Sequence, residues 1–263
     1  MISMEKGDPK ETSRRESLTW TVLGYQSPYP GSGGATPGYL LEGSGHRILV
    51  DCGSGVLSQL GRYVQPWELD AVWLSHLHHD HLADFFVLQY ALQTEIRLGK
   101  RKQPLPVFAP TEPERWGKQL SYRDAVRLHP IGEERTWKHG EMQVACFRTE
   151  HPVPCYAMDI QWRGKRILYG ADAGPETDWE RADPEPDLFI CEGTFLDRDA
   201  SHRSSGHHTV KEAAEAAERI GARRLLLTHL YPGYSRREIE AEAKTYYSGD
   251  LLLAEIGCRV RLI

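Results

Sequence analysis

Ser75-His76-Leu77-His78-His79-Asp80-His81-Leu82-Ala83-Asp84 contains the pattern H-x-H-x-D-H. His76, His78, Asp80 and His81 place four nitrogen or oxygen donors within six residues. Imidazole and carboxylate are donors that zinc and similar divalent cations select. Protonatable groups this close repel one another unless a cation holds them together. Upstream, Leu69-Asp70-Ala71-Val72-Trp73-Leu74 reads as a buried strand. Downstream, apolar residues recur at helical spacing at Phe85, Phe86, Leu88, Leu92 and Ile96. The donors therefore occupy a strand-to-helix loop at the carboxyl end of a strand, where open α/β sheets place their ligands.

Composition narrows the classes. A chain of 263 residues suits one large domain or two small ones. Its net charge of -5 carries no global signature of a nucleic-acid binder, and no apolar run is long enough to span a membrane. Residues 1–17 are charged and lack the apolar core of a secretory signal, so they are expected to form a mobile leader. The five cysteines are odd in number and scattered, without CxxC, which suits a reducing cytoplasm.

Taken in order, residues 18–24 alternate as a first strand. The Gly/Pro-rich residues 28–38 read as a rim loop, because their G-S-G-G-A-T is not the dinucleotide fingerprint and no helix follows. A hairpin is expected over 39–50 and a short helix over 56–63, with Asp51 in the D-x-G-S-G turn between them. The basic run 97–102 reads as a solvated turn, 106–110 as a short strand and 112–128 as a helix. Strands at 142–149, 157–162, 166–169, 187–191 and 224–227 follow, with a helix over 210–220 striped by Val210, Ala213, Ala214, Ala217 and Ile220. A last strand is expected within 251–263. His76, His151, Asp172 and His229 each stand where a strand ends. Two successive sets of strands with helices between them imply two sheets face to face with helices outside, in one domain from residue 18 to 263.

The ordered set H-x-H-x-D-H, His151, Asp172 in G-A-D and His229 in T-H resembles the metallo-β-lactamase superfamily over nearly the whole chain. The resemblance implies an αββα sandwich of two mixed sheets. It also implies two divalent metal ions, Zn2+ first, with Mn2+ or Fe2+ as alternatives. Residue by residue, His76, His78 and His151 bind one ion, Asp80, His81 and His229 bind the other, and Asp172 bridges them. Two such cations share a water and lower its pKa, supplying a bridging hydroxide at neutral pH. Each ligating histidine should donate its other ring nitrogen to an acceptor, and Asp51 and Asp84 are expected to serve.

Downstream, Cys191-Glu192-Gly193-Thr194-Phe195, Gly206-His207-His208-Thr209 and Leu226-Leu227-Thr228-His229 resemble the ribonuclease Z branch. The implied catalytic set is Asp80 with His207 as general acid, oriented by Glu192. A carboxylate can hold an imidazole tautomer and raise its pKa. His208 or His202 replaces His207 if the motif is out of register. The branch's long transfer-RNA arm lies between the ligands matching His151 and Asp172, where this chain has one hairpin and a turn. The Ser and Arg that usually follow the last ligand are here Leu230-Tyr231-Pro232-Gly233-Tyr234. A small phosphodiester or short nucleotide is therefore the expected substrate and tRNA is not; a homodimer follows by family analogy alone. The competing function is hydrolysis of a lactone, thioester or β-lactam on the same metals. A di-iron redox protein is disfavoured, because that subgroup carries Glu where this chain has His78. His46, His79, His129 and His139 read as surface residues in turns and loops. Tyr231 and Tyr234 either line the pocket mouth or pack the closing helix.

Overall fold

A computed structural model describes residues 17–133, 136–202 and 206–263. The first sheet is built from β1 (Leu18–Gly24), β2 (Gly38–Gly43), β3 (His46–Val50), β4 (Ala71–Trp73), β5 (Leu105–Ala109), β6 (Val126–Pro130) and β14 (Arg259–Leu262), in the order β14-β1-β2-β3-β4-β5-β6. The second contains β7 (Thr136–His139), β8 (Met142–Arg148), β9 (Tyr156–Trp162), β10 (Lys165–Tyr169), β11 (Leu188–Glu192), β12 (Arg224–Thr228) and β13 (Asp250–Leu253), in the order β13-β12-β11-β10-β9-β8-β7. Both sheets are mixed: β3, β4, β5 and β6 pair in parallel on one, and β10, β11, β12 and β13 on the other.

Each sheet is apolar on both faces, which is why its central strands read as continuous rather than alternating hydrophobic runs. Trp20, Tyr39, Val50, Met158, Tyr169 and Ile190 fill the layer between the sheets. The reverse face of the first sheet, at Leu40, Leu49 and Val72, is covered by α1 (Val56–Leu60), α2 (His79–Leu82) and α3 (Phe85–Arg97). The reverse face of the second, at Phe189, Leu225 and Leu227, is covered by α5 (Val210–Arg219) and α6 (Arg236–Tyr246). The short α4 (Glu114–Gly117) completes the helices named here. The alanine stripe of α5 sits close against its sheet, and capping boxes at Thr209/Glu212 and Ser235/Glu238 satisfy the first amides of α5 and α6. The result is the αββα sandwich.

Several expectations are corrected. Residues 112–128 are not one helix: α4 stops after one turn, and β6 pairs in parallel with β5 at Leu105↔Val126 and Val107↔Leu128. At Gly117 the space for a Cβ is filled by the Thr111 carbonyl oxygen, 2.0 Å away, so this turn packs too tightly for an ordinary helical side chain there. His129 thus lies in β6, stacked 5.2 Å from Phe108, His139 lies in β7, and His46 opens β3 opposite Gly43. None is in a loop.

The closing segment makes two strands rather than one. β13 extends the second sheet beside β12, and after Gly257 (φ 90°) β14 crosses to pair antiparallel with β1. The basic run is exposed, as expected, except that Arg101 is half-buried and its guanidinium donates to the carbonyls of Trp67 and Leu69 at 3.0 and 2.7 Å, ahead of β4. Of the expected leader, residues 1–16 lie outside the described residues. Ser17 is buried and accepts a hydrogen bond from Arg261.

Candidate metal centre

Seven side chains from the two sheets meet at one end of the sandwich. β4 delivers His76 and His78, and α2 turns Asp80 and His81 back toward them. From the second sheet come His151 after β8, Asp172 after β10 and His229 after β12. Ala171 (φ 53°) and His229 (φ 56°) adopt left-handed backbone, which non-glycine residues rarely do, as does Asp51 (φ 55°) on the first sheet. Sharp bends at these strand ends aim the side chains inward.

Donor atoms of His76, His78, His151 and Asp172 lie within 4.8 Å of one another, as do those of Asp80, His81 and His229. The two oxygens of Asp172 face different groups. Its Oδ2 is 3.5 Å from His76 Nε2 and 3.9 Å from His151 Nε2. Its Oδ1 is 3.1 Å from His81 Nε2 and 3.2 Å from His229 Nε2. His78 enters with Nδ1, 2.9 Å from His151 Nε2. Asp80 Oδ2 stands 3.4 Å from His229 Nε2.

Outer contacts fix the rings. His81 Nδ1 meets Asp51 Oδ2 at 2.8 Å, His76 Nδ1 meets Ser75 Oγ at 3.0 Å, His151 Nδ1 donates to the Gly206 carbonyl at 2.9 Å, and His229 Nδ1 meets Thr194 Oγ1 at 2.7 Å. In each case the other nitrogen is left facing the centre. Nε2 of His76, His81 and His229 and Oδ1 of Asp172 are buried without a well-directed hydrogen bond. Buried polar atoms are normally satisfied, so converging orphaned donors fit a cation site in both position and chemistry. Burial pushes the His76 and His151 imidazoles down, and His78 down to about 4, so these three offer lone pairs at neutral pH. Burial opposes ionisation of Asp172, yet His229, His81 and His76 hold its carboxyl well below the usual range.

Beside this cluster, His207 Nδ1 meets the buried Glu192 Oε1 at 2.8 Å, and its ring stacks 5.3 Å from His229. A ring nitrogen of His207 lies within 4.8 Å of donor atoms of Asp172 and His229. Burial disfavours the imidazolium, but the charge and hydrogen bond of Glu192, with Asp172 and Asp80 beyond, raise His207 to about 9. Thr194 Oγ1 donates to Glu192 Oε2 at 2.5 Å, so one carboxylate serves His207 directly and His229 through a hydroxyl. His208 instead packs edge-on to Trp179 at 5.9 Å, away from this group. The side chain of His202 lies outside the described residues. His79 is exposed and faces Trp116.

Asp84 does not hold a histidine. It accepts from the amides of Gly55 and Leu57 at the start of α1, where unpaired N–H groups compete for it. Sequence reasoning missed Ser27, whose hydroxyl donates to Asp80 Oδ2 at 3.0 Å, and the holding role of Thr194. Tyr231 lies against Tyr29 and Tyr234, and Tyr234 donates to Asp199.

A His/Asp cluster able to hold metal, at the mouth of an αββα sandwich, defines the class of metallo-β-lactamase-fold hydrolases. The chain belongs to the β-lactamase superfamily, whose domain model matches residues 46–230. It is an enzyme, a hydrolase related to metallo-hydrolases and ribonuclease Z. It is 36% identical over 237 residues to the probable metallo-hydrolase YhfI of Bacillus subtilis, covering 90% of this chain and 97% of that protein. The crystal structure of YhfI superposes with a TM-score of 0.89 at 35% identity, covering 94% of this chain and all of that one. The ribonuclease Z of Archaeoglobus fulgidus is 26% identical over 293 positions that use 88% of this chain and 94% of that protein, so it carries insertions absent here. The short form of human tRNase Z shares the fold, with a TM-score of 0.72 at 20% identity over 92% of this chain and 98% of that one. Among the described residues, no helix is long and apolar enough to cross a membrane.

Proposed function

We propose that this chain is a dinuclear metal-dependent phosphodiesterase, formed by one domain over residues 18–263. His76, His78 and His151 would hold one divalent cation, Asp80, His81 and His229 the second, and Asp172 would bridge them. Nitrogen and oxygen donors suit zinc, and also accept Mn2+ or Fe2+. The cation pair supplies Lewis acidity and a water of lowered pKa. The chain's own contribution is the proton. His207, held by Glu192, is charged at neutral pH and stands beside Asp172 and His229, where it protonates the departing alkoxide oxygen as the ester bond breaks.

That Glu192–His207 pair is the observation that carries the reading. An acid beside the ligand set suits a phosphodiester with a poor leaving group, whereas the ligand set alone would serve lactones and thioesters equally. The substrate class is a small phosphodiester or short nucleotide. The hairpin β9–β10 joins the His151 and Asp172 segments with no room for a tRNA-gripping arm, and the alignment with YhfI needs no such insertion. The test is a panel of bis-p-nitrophenyl phosphate, nucleotide alkyl diesters, lactones, thioesters and precursor tRNA. Turnover concentrated on the diesters is expected. Preferential lactone or thioester hydrolysis, or tRNA end-processing at physiological salt, would overturn the assignment.

A further inference from the structure

Two buried tyrosines lie across the interface between the sheets, directly beneath the cluster. Tyr169, the last residue of β10 on the second sheet, donates to Asp51 Oδ2 on the first at 2.5 Å. Tyr39 of β2 on the first sheet exchanges a hydrogen bond of 2.6 Å with Thr228 Oγ1 at the end of β12 on the second. The two phenols reach across from opposite sheets, and both are essentially inaccessible to water. Their rings lie 5.4 Å apart, with Trp20 packed 5.1 and 5.5 Å from them, so neither can swing aside. Burial pushes both phenols well above the usual tyrosine range, so they remain protonated and able to donate.

What they hold is not generic core. Asp51 receives Tyr169, the backbone and hydroxyl of Ser75, and His81 Nδ1. Thr228 immediately precedes His229, whose left-handed backbone sets its direction. Each hydroxyl therefore reaches from one sheet to a residue beside a cluster histidine on the other: Asp51, which holds the His81 ring, and Thr228, which fixes the backbone one residue ahead of His229. His76, His78, Asp80 and His81 ride on the first sheet while His151, Asp172 and His229 ride on the second, so a cross-sheet tie fixes the spacing between the halves. We infer that Tyr39 and Tyr169 are positioning residues: Tyr169 sets His81 through Asp51, Tyr39 sets His229 through Thr228, and together they lock the two half-sites in register.

The inference rests on the metal-site reading above, and its test separates the two. Tyr169→Phe and Tyr39→Phe remove one oxygen each and keep the ring. In the metal-free protein, ring 15N NMR should show His81 signals shifting in Tyr169→Phe with His229 little changed, and the reverse in Tyr39→Phe. In the zinc-loaded protein, competition with a chromophoric chelator should show about 10–100-fold weaker retention, the range for loss of a group that orients a ligand. kcat should fall while KM stays near its original value. A purely structural hydroxyl would lower the melting temperature but leave ring signals and zinc affinity unchanged well below melting, and that result would overturn the inference. So would equal disturbance of every cluster histidine in either variant. Should wild-type protein bind none of Zn2+, Mn2+ and Fe2+, the metal-site reading fails, and the ring signals still decide the positioning role.

Discussion

The two sheets contribute to the centre in different ways. The first supplies four donors from one continuous stretch: β4 ends, α2 begins, and His76, His78, Asp80 and His81 arrive together. The second supplies one residue per strand end, at His151, Asp172, His229 and Glu192, with His207 brought over from the loop ahead of α5. The first half is a local motif that a single loop can build. The second exists only once β8 to β12 are in register. On the proposed function, recognition of the cations would be written locally on one side, while on the other side bridging and proton transfer would depend on tertiary assembly.

The largest effects should come from residues that join the halves. His76→Ala and Asp172→Ala are both expected to abolish hydrolysis, but only Asp172→Ala should disturb both cations, because its two oxygens face different groups. An active Asp172→Ala enzyme with full metal content would break the comparison.

His207→Ala should lower kcat by about 10²–10⁴-fold on a diester with an alkoxide leaving group, with metal content unchanged. The loss should be much smaller with p-nitrophenolate, which departs without a proton. Equal losses on both substrates would make His207 a positioning group for substrate or metal.

pH sharpens the same point. His207 is raised to about 9, so its acid form predominates below that value and is lost above it. Activity on alkoxide substrates should persist above the ordinary imidazole range and then decline. Glu192→Gln removes the charge that raises His207, so the declining limb should move to lower pH. A limb that stays in place would detach Glu192 from this role.

The smallest effect is expected on the first sheet's side. Ser27→Ala removes the hydroxyl on Asp80 but leaves the contiguous motif intact. A hydrogen bond to a charged carboxylate is worth about 1.5–3 kcal/mol, so kcat/KM should fall by at most roughly 10–150-fold.

This division also explains what was legible in the sequence. H-x-H-x-D-H announces itself by spacing, and His151, Asp172 and His229 could be read because each stands where an apolar run ends. Glu192 and His207 were visible only because their turns resemble those of the ribonuclease Z branch, not through their mutual distance. The hydroxyls were not visible. Tyr39 meets Thr228 across 189 positions and Tyr169 meets Asp51 across 118, and no local pattern marks either contact. The misread elements were physical edge cases. β6 and β7 are short strands at the rims of their sheets, where one neighbour is missing and apolar alternation weakens. Asp84 carried the right chemistry for holding a histidine, but the amides at the start of α1 lie closer.

The central claim is that two half-sites on two sheets close around a pair of cations. The most direct measurement is the metal content of purified native protein, by elemental mass spectrometry against protein concentration, repeated for Asp172→Ala. Two divalent ions per chain, falling in the variant, is the predicted result. One ion or none in protein that hydrolyses phosphodiesters would contradict it.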